Sequence, residues 1–102
     1  MADDVIEKTP AEVIKYTKDF TDLLPNDTSI GTSAASAIKS DGTSAAIIGT
    51  VTDSGMIITV PINATTDGED YTVTIQAPGG SSGETREWVL EVRTRSTLRG
   101  SL

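Results

Sequence analysis

In Tyr71-Thr72-Val73-Thr74-Ile75-Gln76-Ala77 every odd position is apolar and every even one polar. A helix would scatter that period around its circumference. A strand turns successive side chains to opposite faces, so the run reads as a strand with one face in a core and one in water. Arg86 to Thr94 repeats the pattern, with Trp88, Leu90 and Val92 on the face opposite Glu87, Val89, Glu91 and Arg93. A chain of 102 residues holding such strands has room for one small domain and no separate cofactor domain.

Turn residues divide the middle of the chain at short intervals: Pro25-Asn26-Asp27, Gly31, Ser40-Asp41-Gly42, Asp53-Ser54-Gly55 and Asp67-Gly68. Asp41-Gly42 and Ser54-Gly55 are hairpin signals, because tight turns need a positive φ that glycine supplies without steric cost. The spacing predicts strands over 36–40, 44–52 and 56–62, with Pro61 at a strand end or edge because it lacks a backbone donor. Near the start, Thr9-Pro10-Ala11-Glu12 has the spacing of a capped turn in which Glu12 returns to the Thr9 amide. The β-branched and aromatic residues after it favour a strand over 13–21, with Ile14, Tyr16, Lys18 and Phe20 on one face. Pro78 to Gly83 has few side chains to pack and reads as a mobile loop. The expected architecture is all-β: an antiparallel β-sandwich of six to seven strands without a disulfide. It spans 9–95, between a flexible N-terminal arm, 1–8, and a flexible C-terminal tail, 96–102. The expected core is Ile14, Tyr16, Phe20, Ile58, Tyr71, Val73, Ile75, Trp88, Leu90 and Val92.

Cysteine and histidine are both absent. Thiol nucleophiles, imidazole acid/base catalysis and the usual zinc, haem and iron–sulfur ligands go with them. The acidic residues are scattered through turns and outward strand positions, a pattern that solvation explains better than a catalytic carboxylate pair. No enzyme activity, cofactor or metal is expected. Asp67, Glu69 and Asp70 in one turn are the best oxygen cluster for calcium, although they lack a twelve-residue loop pattern and read first as a solubilising turn. A net charge of −7 opposes sequence-independent binding to nucleic acid or anionic membrane. The apolar runs fall far short of the about 20 residues a membrane span needs. The start of the chain carries no secretory pattern, so cytoplasmic synthesis is expected.

Asp67-Gly68-Glu69-Asp70-Tyr71-Thr72-Val73 resembles the corner before a late strand of immunoglobulin-like sandwiches, where a tyrosine hydroxyl bonds back to upstream backbone. Tyr71 would be that tyrosine, with its hydroxyl against the 64–68 segment. Val73 stands where true immunoglobulin domains put a disulfide cysteine. The resemblance is therefore to the disulfide-free branch, which includes fibronectin type III-like and bacterial or viral immunoglobulin-like modules.

A second resemblance covers nearly the whole chain. Lys8, Pro10, Glu12, Tyr16, Asp19-Phe20, Leu23-Leu24 and Asp27-Thr28-Ser29-Ile30 form a pattern similar to that of a family of small tailed-bacteriophage virion proteins. Phe20 stands where the family often has tryptophan. The family's usual ending, a tyrosine-threonine-valine strand, a glycine-containing turn and a charged final strand, is similar to 71–73, 79–83 and 86–92. The resemblance implies a structural, non-enzymatic role in the virion, joining or decorating other particle components, foremost as an adaptor between tail or neck and fibre. Head decoration or cementing, or an immunoglobulin-like module binding host-surface carbohydrate, are the alternatives. Partners would be other phage structural proteins, in symmetric copies or a homo-oligomer. The candidate interface residues are the apolar loop pair Leu23 and Leu24, which read first as a plug over one end of the core, and the basic end Arg93, Arg95 and Arg99, which reads first as a solvated tail, beside the 1–8 arm.

Overall fold

The computed structural model describes residues 2–96. Among them seven strands form in chain order: β1 (Asp4–Lys8), β2 (Ile14–Asp19), β3 (Ala34–Lys39), β4 (Thr52–Ser54), β5 (Ile57–Ile62), β6 (Asp70–Pro78) and β7 (Thr85–Thr94). They make a four-stranded sheet in the order β1-β7-β6-β3 and a three-stranded sheet in the order β2-β5-β4. The core lies between the sheets. Ala37, Tyr71, Val73, Ile75, Ala77, Leu90 and Val92 meet Ile58, Val60 and Ile62, while Phe20, Leu24, Ile30, Ile47 and Met56 close the remaining gaps. The alternation read in the sequence thus becomes the two facing sides of a sandwich. No helix among the described residues is long and apolar enough to cross a membrane.

β6 and β7 pair antiparallel from Asp70↔Arg93 to Pro78↔Thr85, and β3 pairs with the other edge of β6. At the tight turn joining β4 and β5, Gly55 has φ +60 and occupies the first of two loop positions, the pattern of a type II′ hairpin. Pro61 pairs with Lys15 beyond the point where β4 ends, so its missing N–H breaks no ladder bond. The corner is also as expected: the Tyr71 hydroxyl accepts a 3.0 Å bond from the Thr66 amide.

Several sequence expectations are corrected. The 1–8 segment is not a free arm, because Asp4–Lys8 is an edge strand paired in parallel with β7, so the sandwich is not wholly antiparallel. Lys8 anchors it. The residue is fully buried, and its ammonium donates to the carbonyls of Thr9 and Pro10 and to Thr65 Oγ1 at 2.7, 3.3 and 2.9 Å. Desolvation lowers the Lys8 pKa, with the Glu12 carboxylate acting in the opposite sense. Such a residue cannot be read from hydropathy, since a lysine counts as surface unless oxygens are waiting for it. The turn beside it is as expected, with the Thr9 amide donating to Glu12 Oε1 at 3.1 Å.

The 44–52 segment is not one strand. It crosses from β3 to the other sheet, touching each by isolated bridges, Ile38↔Ser44 and Ile48↔Ile62, before β4 begins. Ile14, Tyr16 and Trp88, expected in the core, are only partly buried. They lie toward the open side of the sandwich, where β2 and the start of β7 have no further strand among the described residues to cover them.

The 78–83 loop is fixed rather than free. Asp27, itself buried, accepts the Ser81 and Ser82 amides on Oδ1 at 2.9 and 3.0 Å. Its carboxylate also takes both serine hydroxyls. A Cβ on Gly79 would overlap that carboxylate, so glycine is required for the loop to close over Asp27. These donors, the Ser82 hydroxyl foremost, hold the Asp27 carboxyl down at about 2. A folded-state pKa below the unfolded one contributes stability above about pH 4 that is lost as pH falls toward about 2.

Two predictions test this framework. Tyr71→Phe keeps the ring and orphans the Thr66 amide, and should cost about 0.5–1.5 kcal/mol in urea unfolding. Asp27→Asn should be less stable than the parent at neutral pH, and the difference in urea midpoint should close as pH falls through the window from about 4 to about 2. A difference that persists unchanged to the acid end would mean that the carboxylate does not hold the loop.

Candidate functional site

β2 is an edge strand of the three-stranded sheet, and its inward positions run Ile14, Tyr16, Lys18. The third breaks the apolar pattern. Across the gap between the sheets, β7 turns Trp88 toward it. The Trp88 Nε1–H donates to the Tyr16 hydroxyl at 2.8 Å, and that hydroxyl donates to Asp4 Oδ2 at 2.9 Å. One relay therefore ties β7, β2 and β1 together at the open side of the sandwich. Burial pushes the Tyr16 phenol up to about 12; the Asp4 carboxylate adds to this and the Trp88 donor opposes it.

The Lys18 ammonium stands 3.9 Å from the centroid of the Trp88 ring, a cation–π arrangement. Around it opens a cleft of roughly 560 Å³ lined by Asp4, Tyr16, Thr17, Lys18, Asp19, Thr21, Asp22 and Trp88. Asp19 Oδ1 accepts the Thr21 hydroxyl at 2.6 Å and the Thr21 amide at 2.9 Å, which hold its carboxyl below the usual range, with a smaller contribution from Lys18. The cleft joins an indole, three carboxylates and one ammonium. That combination is suited to polar recognition of a partner, and the negative groups outnumber the positive one.

The residues singled out by sequence do not gather there. Leu24 is fully buried, because the chain turns after β2 so that the Leu23 and Leu24 amides both bond to the Phe20 carbonyl. It closes the end of the core and is not a contact surface in this chain, while Leu23 is partly buried against the same cluster. Arg93 lies on the outer face of β7, paired with Glu91 at 2.7 Å, and Arg95 is paired with Asp70 at 2.9 Å. Both guanidiniums are about two-fifths exposed, so these pairs contribute little stability but leave less free charge for a partner than the sequence suggests. Arg99 lies outside the described residues. The carboxylates of Asp67, Glu69 and Asp70 serve different partners, the Ser96 amide, the Ser40 hydroxyl and Arg95. Asp4 and Lys18 were missed as site residues. The signal for Lys18 was present, as a charged residue in the inward phase of β2, whereas nothing in the sequence pairs Asp4 with Tyr16.

Comparison with known proteins bears on the fold. No family model matches the chain, and no curated protein matches it. Among solved structures, the atomic-resolution structure of titin domain M7 is similar over 93% of this chain and 89% of that one, with a TM-score of 0.56 and 10% sequence identity. At that identity the likeness is one of fold. The chain is an immunoglobulin-like β-sandwich.

One measurement checks the relay. The chain has two tyrosines, so in a Tyr71→Phe variant the phenolate absorbance reports Tyr16 alone and should rise with a midpoint at about 12. A folded pKa above the unfolded value of about 10 means that folding stability falls as pH climbs between the two. A midpoint at the ordinary tyrosine value would place Tyr16 in solvent.

Proposed function

We propose that this chain is a non-catalytic structural component of a tailed-bacteriophage particle, an accessory module that joins or decorates other particle components, foremost an adaptor between tail or neck and fibre. It would be made in the host cytoplasm and work in the virion, among phage structural proteins present in symmetric copies. The sequence resemblance over 7–30 and 71–92 supports the phage assignment. The observation that carries the binding role is the solvent-open cleft around Trp88, mounted where the two sheets meet and held by a hydrogen-bond relay across three strands. Assembly work needs such a surface on a scaffold that does not rearrange, because a partner repeated by symmetry reads the same patch in every copy.

Head decoration remains the same kind of role at another location. The carbohydrate-binding alternative is weaker on geometry. Sugar platforms present a bare aromatic face, whereas the Trp88 ring is overlaid by Lys18 and both polar tips, the Trp88 N–H and the Tyr16 hydroxyl, are already engaged.

Quantitative mass spectrometry of purified particles of the encoding phage should find the chain at fixed stoichiometry, and a density map should show it repeated about a symmetry axis. Particles that lack the chain would reject the structural role. Tight binding of the free chain to host glycans would then install the carbohydrate reading in its place.

A further inference from the structure

Lys18 sits where a ligand would. Its ammonium lies over the Trp88 ring, 3.9 Å from the centroid, and the rim supplies Asp4, Asp19 and Asp22. An indole face with carboxylates beside it is the chemistry that binds a cationic group, since the ring quadrupole and the acidic rim both favour positive charge. We propose that the Trp88 cleft receives an arginine or lysine side chain from a basic segment of a partner protein, and that Lys18 is an internal stand-in which the incoming cation displaces.

Three features of the molecule fit that occupant. With Lys18 in place the cleft is still net acidic by two charges, three carboxylates against one ammonium, and becomes more so once the ammonium swings out. The whole chain carries −7, so a basic segment is steered toward it while an acidic one is repelled. β2 is also the edge of its sheet, with no strand beyond it among the described residues, so an extended partner segment can lie alongside Thr17 and Asp19 with its side chain reaching Trp88. Guanidinium matches the site better than ammonium, because a planar cation stacks on the indole while its edge donates to carboxylates. This inference rests on the assembly reading and names the chemistry of the partner at that same cleft.

The test uses the full chain and its single tryptophan, Trp88, whose emission reports occupancy directly. The probe is the peptide acetyl-Gly-Arg-Gly-Arg-Gly-amide, with the neutral citrulline peptide of the same shape as control. The arginine peptide should shift Trp88 emission saturably, with binding weakened by salt. Lys18→Ala, which removes the competitor from an exposed edge strand, should bind roughly threefold or more tightly. Asp22→Asn, at a rim position outside any strand, should bind more weakly than the parent. Equal response to the citrulline peptide, absence of any response in both parent and Lys18→Ala, or weaker binding by Lys18→Ala would each overturn the proposal. So would emission that responds to chitohexaose but not to the arginine peptide. Failure here with the chain still present in particles would remove the cationic partner and leave the assembly role standing; absence from particles would remove the latter.

Discussion

The ladder between β6 and β7 is the constraint from which the rest of the molecule follows. It is the longest pairing in the fold, it lies at the centre of the larger sheet, and its inward residues Tyr71, Val73, Ile75, Leu90 and Val92 are almost wholly removed from water. Without a disulfide to hold the sheets together, adhesion between them rests on this apolar face and on the opposing Ile58, Val60 and Ile62. Burial of a branched apolar side chain contributes about 1.5–3 kcal/mol, so a few such residues outweigh any surface ion pair present here. The polar fixtures then decide how the loops hang on that frame: Tyr71 at one corner, Asp27 at the opposite end, and Lys8 beneath the edge strand.

What the sequence made legible follows the same division. β6 and β7 were readable because period-two alternation is a local signal that a half-buried strand cannot avoid. The corner at Tyr71 and the hairpin at Gly55 were readable for a similar reason, since each is determined within a few residues. The 44–52 segment has apolar residues enough for a strand, yet it leaves one sheet and joins the other. Its course is set by where β3 and β5 stand, which no local pattern encodes. β1 was illegible because its anchor is a lysine, whose burial is tolerable only when the chain folds the Thr9 and Pro10 carbonyls back onto it and brings in the hydroxyl of the distant Thr65. The fixed 78–83 loop was hidden in the same way, since its serines and glycines look mobile until Asp27 is found 54 residues away in the chain.

For the candidate site the outcome is more uneven. Leu23 and Leu24 could be read as a plug over one end of the core or as a partner contact, and a tight turn decides for the plug by folding the second into the core. Arg93 and Arg95 were read as a basic end, but each meets a carboxylate on its own or the neighbouring strand. The residues that do form the cleft come from β1, β2 and the turn after it near the start of the chain and from Trp88 on β7 near its end, and among them only the intrusion of Lys18 into an apolar phase was visible beforehand. Several residues of the phage-like pattern, Lys8, Glu12, Phe20, Leu24 and Asp27, are those that brace this fold. The pattern thus encodes architecture more than the surface a partner would touch.

The parallel pairing of β1 with β7 has a mechanical consequence. The register runs from Asp4↔Leu90 to Lys8↔Thr94, with both strands pointing the same way. Tension applied at the start of β1 and the end of β7 therefore pulls the two strands past one another along their length. The ladder bonds bear that load together, in shear, and cannot be opened singly from one end like a zip. The buried Lys8 ammonium and the Arg95 amide bonded to the Lys8 carbonyl lie at the far end of the same seam. Sliding must break these with the ladder, so the shortest strand of the larger sheet is oriented to withstand being stretched.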